Sequence, residues 1–70
     1  MENNISDLCK ALWDKKKIDV YTVTINKGKY IAVADQTVNG DIATIVEVVN
    51  KRKHVALDMC INRLKELNLI

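Results

Sequence analysis

Three consecutive cations, Lys51, Arg52 and Lys53, stand between a possible helix cap at Asn50 and a helical pattern. The first turn of a helix exposes unpaired N–H groups and a positive dipole end, where cations are mildly unfavourable. Cations placed there without a folding benefit indicate a binding function, and their natural complement, together with the N–H groups, is phosphate or another anion. The alternative is a basic loop before a helix that begins later.

Other lysines extend this basic character. Lys27 and Lys29 lie at the tip of a predicted hairpin, and Lys10 and Lys15 lie on a predicted first helix. If all of them share one edge of the domain with the 51–53 run, they form the discontinuous basic surface that tracks a nucleic-acid backbone. Exposed lysines at turns also serve solubility alone, and the net charge of +2 does not by itself predict nucleic-acid binding.

Catalytic and metal-binding patterns are missing from the sequence. His54 is the single histidine, Cys9 and Cys60 belong to separate helical patterns, and no glycine-rich phosphate loop is present. The carboxylates are spread singly, with no spacing that pairs two on one helix face. We therefore expect a protein that is not an enzyme and has no catalytic residue, metal site or cofactor.

The cysteines and the first residues bear on the compartment. Cys9 and Cys60 each stand among apolar residues at helical spacing, which favours buried free thiols over a disulfide. Residues 1–6 lack the basic and then apolar layout of a secretory signal, and no apolar segment is long enough to span a bilayer. We expect a cytoplasmic protein with no membrane partner.

The chain has the size of one small domain, residues 1–70, and its patterns change type along the sequence. Apolar residues at helical spacing predict a helix from Asn3 or Asn4 to about Lys16 and a second helix from about residue 51 almost to the C-terminus. Between them lie three segments rich in β-branched residues, separated by turn signals at Gly28 and at Asn39-Gly40. The predicted fold is α+β, in the order α-β-β-β-α, with two helices on one face of a three-stranded antiparallel meander.

Both faces of the predicted sheet carry apolar residues, although the helices cover one face. A second reading of the chain is therefore a protein-interaction module, either a homodimer or a small inhibitor or antitoxin that binds a partner protein. Its interface would lie on the exposed face around Val20, Ile31, Val33 and Ile45. The alternative is that scattered exposed valines and isoleucines reflect strand propensity.

The element order resembles the double-stranded RNA-binding domain family over nearly the whole chain. The matching features are Leu8-Cys9 in the first helix, the strand with Tyr21, the hairpin, and the Lys51-Arg52-Lys53 run that opens the last helix. The resemblance implies that this run grips phosphates across the major groove. It also implies that Asn26 to Lys29 contacts an adjacent minor groove, with recognition by shape and 2′-hydroxyl groups.

Two departures keep the alternatives open. The Gly-Pro-x-His loop typical of that family is replaced by Asn26-Lys27-Gly28-Lys29, and the alanine-rich middle of its last helix is Leu57-Asp58-Met59-Cys60 here.

The β-β-β-α part is also similar to small domains of antitoxins in the HicB family, which bind a toxin protein. A short solitary domain rich in Lys, Asn and Ile is typical of viruses and mobile elements. The leading prediction is a noncatalytic module for structured RNA.

Overall fold

The protein folds in the predicted order of elements. The computed structural model describes residues 4–69, with side chains from residue 7 onward. Of the two predicted caps of the first helix, Asn3 lies outside the described part and Asn4 is already helical. The elements are helix α1 (Asn4–Lys16), strands β1 (Ile18–Asn26), β2 (Lys29–Val38) and β3 (Asp41–Asn50), and helix α2 (Lys53–Glu66). The strands form one antiparallel sheet in the order β1-β2-β3, which confirms the α-β-β-β-α arrangement and the α+β class.

Residues with positive φ make both hairpin turns. Gly28 has φ 76° between β1 and β2, and Asn39 and Gly40 have φ 54° and 87° between β2 and β3. Two successive positive φ values are those of a type I′ turn, whose twist matches the twist of the strands that it joins. Both turn positions predicted from the sequence are confirmed.

The hydrophobic core lies between the two helices and one face of the sheet, called here the covered face. Among the side chains that the structure describes, the core cluster takes one buried residue from α1, four from the strands and three from α2: Leu12, Ile18, Ala32, Ala34, Val46, Ala56, Cys60 and Leu64. The middle strand contributes only alanines to this cluster, and their short side chains leave room for the larger residues of α2. The opposite side of the sheet, which neither helix covers, is called the open face.

A β-bulge in β3 decides which residues lie on the open face. Ala34 pairs with Val46, but Asp35 pairs with Thr44, so Ile45 is the extra residue. Ile45 and Val46 both pack toward the core, and simple alternation is interrupted between them. Strict alternation along β3 would place Ile45 with Val49 and Ile42 with Val46, and the bulge makes this wrong on its N-terminal side.

Helix α1 is attached to the sheet at the end opposite the β1–β2 turn. Lys17 has φ 56° and donates its N–H to the carbonyl of Trp13 at 3.0 Å, which ends the helix. The backbone of Thr37 donates to the Lys17 carbonyl at 3.1 Å, and Gln36 Nε2 donates to the Lys16 carbonyl at 3.1 Å. Since β1 rises about 3.3 Å per residue, this end lies about 26 Å from the β1–β2 turn.

No helix within residues 4–69 has the length and apolar character needed to cross a membrane.

Candidate functional site

The structure brings the two predicted groups of cations together at one end of the sheet. Tyr30, the second residue of β2, pairs with Asn50, the last residue of β3, so the β1–β2 turn lies beside the segment that leads into α2. Lys29, Lys51 and Arg52 line one open pocket with Val49 and Asn50. The name basic end is used below for the five cations of the turn and of the start of α2: Lys27, Lys29, Lys51, Arg52 and Lys53.

Helix α2 begins two residues later than the sequence pattern indicates. Asn50 remains in the β3 ladder and is not the helix cap, because the chain must first turn away from the sheet. Its Oδ1 accepts a hydrogen bond from the N–H of Arg52 at 3.0 Å, which holds this turn. Arg52 is the N-cap, with extended φ and ψ of −114° and 129°, and Lys53 is the first helical residue. Lys51 and Arg52 therefore belong to the connection, and Lys53 to the helix.

The first turn of α2 has no acidic partner of its own. Arg52 provides no side-chain cap, and no Asp or Glu stands in the first turn. The first intrahelical bond joins the N–H of Ala56 to the Arg52 carbonyl, so the N–H groups of the three preceding residues point out of the helix end. These donors and the nearby cations give the basic end a positive potential.

Among residues 7–69, no carboxylate forms an ion pair with a cation of the basic end. Within residues 7–69, the one ion pair joins Arg63 to Glu66 at 3.2 Å, on the last turn of α2. Lys51, Arg52 and Lys53 are all exposed. An anion that binds here therefore does not have to displace one of these carboxylates from Lys51, Arg52 or Lys53.

Of the remaining predicted cations, Lys15 does not join this group. Lys10 and Lys15 are exposed on α1, and Lys15 lies in its last turn, at the opposite end of the sheet. Lys17 lies over the ring of Trp13, with Nζ 5.0 Å from the ring centroid, which is a cation–π contact. The lysines that end α1 thus form a separate group at the other end of the sheet.

The four residues predicted as a protein interface do not share a face. Val20 and Ile45 pack against the core on the covered face. Ile31 and Val33 point to the open face, where Val33 is only 6% exposed because it lies between Tyr21 and Glu47 in the sheet register. The exposed apolar residues of β1 on that face are Tyr21, Val23 and Ile25, none of which belongs to the predicted interface.

A hydrogen-bonded cluster on the open face was missed at the sequence level. Asp35 accepts from the Tyr21 hydroxyl at Oδ2, at 2.8 Å, and from the Thr44 hydroxyl at Oδ1, at 2.7 Å. The bond to Asp35 raises the pKa of Tyr21. Thr44 reaches Asp35 because the bulge at Ile45 turns it to this face, and no sequence signal predicted the bulge.

The thiols and the histidine offer little for chemistry. Cys9 and Cys60 are free, and burial raises the pKa of both, that of Cys60 to about 11. A thiol with a raised pKa is a poor nucleophile near neutral pH. His54 is exposed on the first turn of α2. Among the described residues, no group of three or more His, Cys, Asp or Glu side chains is arranged to hold a metal ion.

Comparison with known proteins places the chain in no family. The scan against family models, the search of curated proteins and the search of solved structures each gave no match. The resemblance to double-stranded RNA-binding domains therefore stays a prediction, and functional inference depends on the chemistry of the basic end.

Proposed function

We propose that this domain binds nucleic acid through the basic end, and that its ligand is structured or double-stranded RNA. The observation that carries the proposal is the meeting of Lys29, Lys51 and Arg52 at one pocket beside the uncapped start of α2. Two segments that are about twenty residues apart in sequence supply cations to one place, and neither supplies a compensating carboxylate. Such a surface complements a chain of phosphates better than it complements a neutral ligand.

The mechanism is positioning on the phosphate backbone. Lysine and arginine attract phosphates and release their counterions, and the outward N–H groups at the start of α2 favour a negative charge at the same point. Contacts of this kind fix the orientation of a protein on a duplex but read no sequence. The expected specificity is therefore for the shape and backbone of the duplex.

The preference for RNA rests on the element order and on the position of the β1–β2 turn. In the family that the chain resembles, this turn contacts a minor groove while the last helix faces phosphates. Here the turn carries Lys27 and Lys29, and it lies at the same end as the start of α2. The turn has lysines instead of the family's histidine, so the minor-groove contact would be mainly electrostatic.

Titration with duplex RNA at several salt concentrations tests the proposal. If all five cations contact phosphates, the slope of log K against log salt should be about −4 to −5, by the rule of about 0.9 per phosphate contact. Replacing Lys51, Arg52 and Lys53 by alanine should make the slope shallower by about three and abolish binding at physiological salt. Duplex DNA of the same sequence gives a parallel arm, and equal affinity for both would remove the preference for RNA.

A matched control distinguishes the loss of binding at the basic end from a general effect of lower net charge. Lys15, Lys16 and Lys65 lie in the last turns of α1 and α2, and replacing them by alanine removes the same three charges away from the basic end. This variant should keep most of the salt slope. Equal loss in the two triple variants, or no binding of the wild-type protein at low salt, would refute the proposal.

A further inference from the structure

On the open face, the charge of the side chains changes in a regular order along the strands. The pairing register places three rows side by side across the sheet, and Lys29 and Lys51, which line one pocket with Val49, make a fourth row next to the β1–β2 turn. We name them by their members: the lysine row (Lys29, Lys51), the valine row (Val23, Ile31, Val49), the tyrosine row (Tyr21, Val33, Glu47) and the aspartate row (Asp19, Asp35, Thr44). The face thus changes from basic, through a valine row and a tyrosine row whose β3 member is the exposed carboxylate Glu47, to acidic.

The two middle rows leave apolar surface exposed to solvent. Val23 is 44% exposed, Val49 50% and Tyr21 38%, and neither helix reaches this side of the sheet. Adjacent exposed apolar side chains on one face form a contiguous patch, which in soluble proteins marks an interaction surface more often than single scattered residues do. The patch lies between ends of opposite charge, so its partner should carry the same features in reverse order.

We propose that the open face binds the open face of a second copy of this chain. A twofold axis lying in the interface, perpendicular to the strands and between the valine and tyrosine rows, places β2 of one copy antiparallel to β2 of the other. Each valine row then packs on the partner's tyrosine row, with Val23 against Tyr21 and Ile31 against Val33, while Glu47 on the edge strand β3 lies over Val49. Each lysine row lies against the partner's aspartate row, with Lys29 over Asp35 and one strand away from Asp19. The face is complementary to itself in this orientation.

The opposite orientation is unfavourable for the same reason. A twofold axis parallel to the strands would place lysine row on lysine row and aspartate row on aspartate row. Like charges brought together at an interface are costly and exclude wrong pairings. The charge order therefore selects one of the two symmetric ways in which the sheets can pack face to face, and aligned sheets pack in this way in sandwich folds.

The dimensions of the face predict a weak dimer. Three strands about 4.8 Å apart and about 26 Å long give a narrow contact, at the low end of the sizes seen for specific interfaces. Dissociation in the micromolar range or weaker is expected, with some loss of affinity at high salt because the end rows are charged. Lys29 and Lys51 belong also to the basic end, so duplex RNA should compete with dimerisation.

Sedimentation equilibrium of two matched variants tests the apolar part of the interface. Val23 lies in the valine row, whereas Val38, which is 55% exposed, lies at the far end of β2 outside all four rows. Val23→Asp should raise the dimer dissociation constant at least about tenfold, and Val38→Asp, with the same change of charge, should leave it within about twofold. Thermal unfolding of both variants shows whether they are folded. A wild-type protein that stays monomeric at its highest soluble concentration overturns the proposal.

A charge exchange tests the orientation. Lys29→Asp alone should weaken the dimer, because it sets a carboxylate against the partner's aspartate row. Adding Asp19→Lys in the same chain places a cation one strand away from the new carboxylate at both symmetric contacts. It should recover part of the lost affinity, because Asp35 still lies opposite residue 29. Asp19 is chosen because Asp35 accepts the hydrogen bonds of Tyr21 and Thr44. A double variant that dimerises no better than Lys29→Asp rules out the proposed pairing.

Discussion

The two faces of the sheet are built from similar residues, but only one of them is the core. Ile18 and Ile25 lie on the same strand, yet Ile18 is fully buried on the covered face and Ile25 is 42% exposed on the other side of the sheet. The covered face is closed by two helices, whereas the open face has apolar rows between charged ends. The contrast teaches that β-branched residues indicate a strand but do not indicate which of its faces is buried.

Truncating these two isoleucines should give the largest difference between the faces. Ile18→Ala leaves a cavity in the core and should lower the free energy of unfolding by about 2–5 kcal/mol. Ile25→Ala removes a side chain that is already partly in water and should cost about 1 kcal/mol or less. Urea unfolding of both variants, at concentrations where the protein is monomeric, checks this. Similar losses would contradict the assignment of the covered face as the only core among the described residues.

Deleting residues of β3 tests how the bulge assigns side chains to the two faces. Without Ile45, Thr44 and Val46 become neighbours, and regular alternation keeps Thr44 on the open face and Val46 in the core. This deletion should cost about 1–2 kcal/mol, through the loss of one partly buried side chain. Deleting the exposed residue Glu47 should cost more, because Val46 and Val48 then cannot both face the core. Denaturant unfolding measures the two costs, and a milder effect for the Glu47 deletion would show that the register is set in another way.

Alkaline pH should affect the two faces for different reasons. Burial on the covered face, with a smaller effect of Cys9, raises the pKa of Cys60 from 9.0 to about 11. Because the folded state holds this proton more tightly than the unfolded chain, the stability from the neutral thiol is complete below pH 9 and is lost as the pH rises through about 11. Cys60→Ala should flatten this part of the stability curve. Tyr21 on the open face also has a raised pKa, through its hydrogen bond to Asp35.

Tyr21→Phe serves as the control for that experiment. It removes the tyrosine whose pKa is raised but leaves both thiols in place, so the decline due to Cys60 should persist. Free energies of unfolding at a series of pH values separate the two contributions. An unchanged decline in the Cys60→Ala variant would show that the thiol does not cause it.

Much of the fold was predictable because its signals are local. Helical spacing located α1 and α2, and the positive φ required at Gly28 and at Asn39-Gly40 located both turns. The start of α2 was predicted two residues early, since Asn50 is a good cap by type but is held in the β3 ladder by Tyr30. Pairing across strands outweighed local capping preference there.

The candidate site was predictable in part. The sequence identified the cations of the turn and of the 51–53 run, and the structure shows Lys29 beside Lys51 and Arg52. It could not show that Lys15 lies at the other end, because that depends on how α1 is attached to β2. It also could not separate Val20 from Ile31, which requires the direction in which each side chain leaves the sheet.

The sequence by itself determined the types, order and turns of the elements, because these depend on the spacing of apolar residues and on φ preferences over a few positions. Only the tertiary structure decided which sheet face is open, where Ile45 bulges and which cations meet. Those properties arise from pairing between segments far apart in the chain. A one-residue shift in such pairing exchanges the two faces of a strand. The register therefore depends on both paired segments together and cannot be read from either one alone.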